Sequence, residues 1–126
     1  MSLAYFFVKL CILIILDDIN KEKLLWRIIM KNCNSLQEIR EEIDSIDEQI
    51  LELIAKRKDY VKQAAKFKHS VEEIKADERV SQVINNMRHK ALSLGVSPNL
   101  VTEIYTKMID DMVETEIAQF RNTKSL

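Results

Sequence analysis

At 126 residues, with 47% hydrophobic and 31% charged side chains but only one Gly and one Pro, the chain has the length of a single domain and reads as nearly all helix. A net charge of −1 argues against a nucleic-acid or membrane-surface protein. Two cysteines, Cys11 and Cys33, make neither a metal site nor a disulfide framework and fit reduced thiols in a cytoplasm.

The first segment, "LAYFFVKLCILIIL" (3–16), is apolar but only 14 residues long and interrupted by Lys9, short of the roughly 20 residues a spanning helix needs. It has neither the charged start nor the small-residue cleavage site of a secretory signal. In "LLWRIIM" (24–30) an AGG codon for Arg27 after the Trp codon would spell a bacterial ribosome-binding site ahead of Met30. Residues 1–29 are therefore expected to be an upstream extension of a natural chain that starts at "MKNCNSLQEIR", with a genuine amphipathic or membrane-touching arm as the alternative. Residues 1–34 as a whole are placed outside the domain, as an extra helix or disordered.

From Leu36 the pattern is helical and heptad-like. Leu36, Ile43, Ile50, Arg57 and Ala64 form one column; Ile39, Ile46, Leu53, Tyr60 and Phe67 form the other. Asn34 or Ser35 can cap the start, with Glu38 in the first turns. No breaker follows until about His69, so the spacing predicts a helix about 50 Å long. A compact monomer of fewer than about 100 residues has a radius of gyration of about 13 Å, too small to cover such a helix, and an intertwined homodimer follows more naturally.

"HSVEEIKAD" (69–77) reads as a polar connection. A second helix carries Val80, Val83, Ile84, Met87 and Ala91 at helical spacing and ends near Gly95. "SP" (97–98) caps and opens a third, with Val101, Ile104, Tyr105, Met108, Ile109, Met112, Val113, Glu116, Ile117 and Phe120 on one stripe. The expected fold is all-α: a three-helix protomer with one long first helix, spanning 35–121, and a frayed tail at 122–126.

Three charges break these apolar stripes. Arg57 sits in a column of Leu, Ile and Ala; Lys68 lies eleven residues on, on the same side of a continuous helix; Glu116 falls in line with Tyr105, Ile109 and Met112. A buried charge must meet a partner or a ligand. Internal salt bridges from Glu116 to Arg57 or Lys68 are one reading. The other is a pocket for a small dianion, with Val61 and Ala64 leaving room between two cations. Arg40 lies about 25 Å before Arg57 along the helix, so it cannot serve the same pocket in the same chain but could reach a partner's. By spacing alone it is a solvated surface residue.

The stretch "LQEIREEIDSIDEQILELIAKRKDYVKQAAKFK" (36–68), with its R-x-x-I-x-x-I-D start, K-x-K end and Arg40–Arg57–Lys68 spacing, resembles the first helix of the all-helical chorismate mutases and the related isochorismate-pyruvate lyases. The resemblance covers about residues 35–121 and implies an intertwined three-helix homodimer with shared sites. Arg40 of one chain, with Arg57 and Lys68 of the other, would then grip the two carboxylates and ether oxygen of a small dicarboxylate substrate. It also implies a further arginine at Arg79. Val80 stands where typical mutases carry a glutamate that holds the ring hydroxyl, and Glu116 where a glutamine is usual. "DYVKQAAKFK" and "ERV" (78–80) are closer to the lyase branch. The expected function is chorismate mutase, converting chorismate to prephenate, with Lys68, Glu116 and Arg57 catalytic. Isochorismate-pyruvate lyase and a non-catalytic helical dimer are the alternatives. Neither metal nor cofactor is expected, and neither is a nucleic-acid or membrane partner.

Overall fold

A computed structural model describes residues 2–15, 21, 25 and 29–125, leaving aside the side chain of Leu13. The described residues form helices and turns with no strand. Helix α1 (Leu3–Ile15) comes first. The long helix α2 (Leu36–Ala64) follows, then a 3-10 turn (Ala65–Phe67), the short helix α3 (Val71–Lys75), α4 (Arg79–Leu94) and α5 (Pro98–Lys124). No helix among the described residues is long and apolar enough to cross a membrane.

Each boundary has a local cause. Ser35 accepts a hydrogen bond from the Glu38 amide at 3.1 Å, while Glu38 reaches back to the Asn34 amide at 2.9 Å, so two orphan donors of α2 are satisfied at once. At the end of α4, Gly95 takes φ 73°, the left-handed conformation a β-carbon disfavours. The Val96 amide donates to Ala91 O at 2.9 Å and the Gly95 amide to Leu92 O at 3.4 Å, closing a Schellman motif. Ser97 then caps α5, with Pro98 in its first turn where a missing N–H costs nothing.

Three expectations are corrected. The first helix does not run on to His69: α2 stops at Ala64, tightens into the 3-10 turn, and Lys68 is extended (φ −93°, ψ 149°). The cause lies just downstream, where Ser70 caps a new helix and needs extended backbone to do so (φ −153°, ψ 162°). That new helix is the second correction, because the polar connection 69–77 contains α3. Ser70 accepts from the Glu73 amide at 3.1 Å and Glu73 accepts from the His69 amide at 2.8 Å, the same reciprocal cap that opens α2. Through α3, Ile74 enters the core at 1% exposure. At the other end, α5 continues to Lys124, past the point expected to fray.

The core gathers Ala65, Ile74, Ala91, Ile109, Met112 and Ile117, where α4, α5 and the 3-10 turn meet. Helix α2 has no buried residue. Leu36, Ile39, Ile43, Ile46, Ile50, Leu53, Tyr60 and Phe67 are all 43–73% exposed, so these positions of the predicted heptad columns are left uncovered, while Arg57 and Ala64 are half-buried. Residues 29–33 line a hollow with Ile39, Ile43 and Ile46, tied there by Lys31 Nζ at 3.6 Å from Glu42.

Candidate functional site

One cavity of about 220 Å³ lies between the end of α2, the start of α4 and the middle of α5. That is below the roughly 300–1,000 Å³ of drug-sized sites, and so fits a small metabolite. Val61, Ala64, Ile74, Val83, Ile109 and Val113 form its apolar wall. Arg57, Lys68, Arg79 and Glu116 bring charge to it, and Val80 lines it as well. Five of the six residues singled out in the sequence thus meet in one place. The sixth, Arg40, is exposed on the N-terminal part of α2 and does not line the cavity.

Arg57 is held at the cavity by the core. Its Nη1 donates to the Met112 thioether at 2.6 Å, and among the described residues no carboxylate pairs with it. Thioether sulfur is a weak acceptor, so the remaining guanidinium donors keep their capacity for an anion. Internal pairing therefore does not account for Arg57.

Lys68 is different. Its Nζ lies 3.4 Å from Asp77 Oδ2 and 4.0 Å from Glu116 Oε1, with its side chain 18% exposed. Part of the salt-bridge reading thus holds here, although 4.0 Å is beyond hydrogen-bond range. Glu116 is 8% exposed and its Oε1 is buried with no hydrogen-bond partner. Burial pushes this carboxyl above its ordinary value; the Lys68 ammonium works against the rise and the Asp77 carboxylate adds to it. A carboxyl of this kind is suited to carry a proton and donate it as a hydrogen bond.

Asp77 and Ile74 are the site residues that sequence reasoning missed. Asp77 accepts a hydrogen bond from the Arg79 amide through Oδ1 at 2.8 Å, so it fixes the start of α4 while its other oxygen holds Lys68. The available signal was an aspartate just ahead of an apolar helical stripe, a common N-terminal cap. For Ile74 it was Ser70 followed three residues later by Glu73, the reciprocal-cap pattern.

Comparison with known proteins places the chain in a family. Residues 39–117 match the model of the family described as chorismate mutase type II, which takes in every residue lining the cavity. The isochorismate pyruvate lyase of Pseudomonas aeruginosa is 33% identical over 94 residues, covering 75% of this chain and 93% of that protein. The T-protein of Haemophilus influenzae is 31% identical over 88 residues, covering 69% of this chain, and the chain spans only 23% of that protein's length. The T-protein of Enterobacter agglomerans is 29% identical over 82 residues, again with 22% of its own length matched. With more than half of its length in the family match and a relative aligned almost end to end, the chain belongs to the chorismate mutase type II family.

Proposed function

We propose that the cavity binds chorismate and rearranges it to prephenate. The observation that carries this reading is the convergence of Arg57, Lys68 and Arg79 with the buried Glu116 carboxyl on one small apolar-walled cavity. In a Claisen rearrangement one C–C bond forms as one C–O bond breaks within a single molecule. The protein's part is to hold the reactive conformer and to place donors where negative charge develops.

The roles follow from the chemistry of each group. Arg57 engages one substrate carboxylate, where a planar guanidinium fork suits a bidentate grip better than an ammonium. Arg40 of a second chain engages the other carboxylate, in a homodimer that buries the exposed columns of α2. Lys68 donates to the ether oxygen as its bond to carbon breaks. Protonated Glu116, 4.0 Å from the Lys68 ammonium, is the second donor to that oxygen. Val61 and Ala64 leave space for the ring.

A second reading is isochorismate-pyruvate lyase. It is favoured by Val80 in the cavity wall, where no acid is offered to a ring hydroxyl, and by the Pseudomonas relative of that name. The same cations would grip isochorismate while pyruvate is eliminated to leave salicylate.

Incubating the purified protein separately with chorismate and isochorismate, with product identification, tests both. Prephenate from chorismate is the expected result. Salicylate and pyruvate from isochorismate, without prephenate, would replace the first reading by the second. Neither product would leave a non-catalytic helical module and overturn both.

A further inference from the structure

Asp77 has no role in the reaction proposed above, yet it touches two of its groups. It sits where the connection after α3 enters α4, with one oxygen committed to the backbone and the other to the site. Oδ1 takes the Arg79 amide at 2.8 Å, which anchors the carboxylate independently of any ligand. Oδ2 lies 3.4 Å from Lys68 Nζ, in a pair whose side chains are only 18% and 32% exposed. Lys68 follows the 3-10 turn in extended backbone, where no helix fixes the direction of its side chain. The ammonium thus stands between two acids, Asp77 at 3.4 Å and Glu116 at 4.0 Å, and the nearer acid is the one held by its own backbone bond.

We propose that Asp77 is a positioning residue: it aims the Lys68 ammonium into the cavity and keeps it from closing on Glu116. The role deepens the mutase reading and rests on it for its catalytic consequence. Were Lys68 to settle on Glu116, two things would be lost together: the lysine as donor to the substrate oxygen, and the protonated state of Glu116, since a close cation favours the carboxylate. Asp77 opposes both, first by holding the ammonium and second by its own negative charge. The other charged groups at this cavity are Arg57 from α2 and Arg79 from α4, both cations, while α3 contributes only the apolar Ile74. Asp77 is therefore the one negative charge at the cavity other than Glu116 itself, among the described residues.

Asp77→Asn separates the two duties of this side chain. The amide oxygen still caps the Arg79 amide, because Asn and Asp cap helices about equally well, while the charge facing Lys68 is gone. Asp77→Ser does the same with a shorter side chain and guards against a fold defect particular to one variant. In the full chain labelled at glutamate carboxyls, with the Glu116 signal assigned by its loss in Glu116→Gln, NMR titration reads Glu116 directly and needs no substrate. Both variants should move its midpoint to lower pH than in the unmodified chain. A midpoint unchanged or moved to higher pH in either variant would overturn the proposal. Turnover supplies the second readout: the alkaline limb of the kcat/KM profile should move to lower pH in Asp77→Asn. It should not differ between Glu116→Gln and the Glu116→Gln/Asp77→Asn double variant; an equal displacement in that background would overturn the link to Glu116. If the unmodified chain turns over neither substrate, the reaction reading fails while the titration still decides the role of Asp77.

Discussion

Burial of the Glu116 carboxyl, with Oε1 unpartnered, raises its pKa above the ordinary value, so folding shifts this group toward its protonated form. The sign of the effect follows. A folded-state value above the unfolded one makes this group's contribution to stability complete below the ordinary carboxylate value, and that contribution is lost as pH rises through the raised value. In the proposed mechanism the second donor to the ether oxygen would be lost over the same rise. Activity should therefore be higher at mildly acidic pH and fall as pH increases. Glu116→Gln, which donates at every pH, should flatten the profile; an unchanged pH–rate curve would remove Glu116 from the mechanism. Lys68→Ala should lower kcat/KM by an amount equivalent to about 3 kcal/mol, the usual cost of removing a preorganised oxyanion donor, and turnover near that of the unmodified chain would contradict its role. Arg57 and Glu116 were legible in the sequence because a charge inside an apolar helical stripe breaks a pattern. Asp77 offered only the cap signal of an acid ahead of an apolar stripe, which says nothing of a site; its link to the site comes from the hydrogen bond to the Arg79 amide and the proximity of Lys68.

The elements carry a different lesson. Helices α2, α4 and α5 could be read from apolar spacing, and their ends from Ser35, Gly95 and the Ser97–Pro98 pair, since each of these acts through its own few backbone neighbours. The 3-10 turn and α3 escaped because apolar periodicity needs more than one turn to register, and five residues supply barely that. The consequence reaches the site. A helix unbroken to His69 would have kept Lys68 on the face of Arg57, whereas the observed turn leaves it on extended backbone and brings Ile74 beneath the cavity. Ile74→Ala should lower the unfolding free energy by about 2–5 kcal/mol, as loss of a fully buried aliphatic side chain does. Urea denaturation measures this, and a change below about 1 kcal/mol would show that α3 is not part of the packed core. That loss is a large share of the roughly 5–15 kcal/mol that holds a domain together.

For the molecule as a whole, the low glycine and proline content and the long heptad pattern already pointed to an all-helical chain. What covers the apolar positions of those heptads was not legible in the sequence. The apolar positions of both columns from Leu36 to Leu53 remain exposed after α4 and α5 have packed. Arg40 stands among them, far from the cavity that holds Arg57. The proposed symmetric pair of chains would answer both facts, covering the apolar positions and letting each Arg40 complete the other chain's site. Mixing inactive Arg40→Ala and Arg57→Ala chains under subunit exchange tests this most directly. Each heterodimer would contain one site with both arginines intact, so random mixing should restore about a quarter of the unmodified activity, as expected for a two-fold pair. No recovery despite demonstrated exchange, or an Arg40→Ala chain as active as the unmodified one, would contradict a site built from two chains.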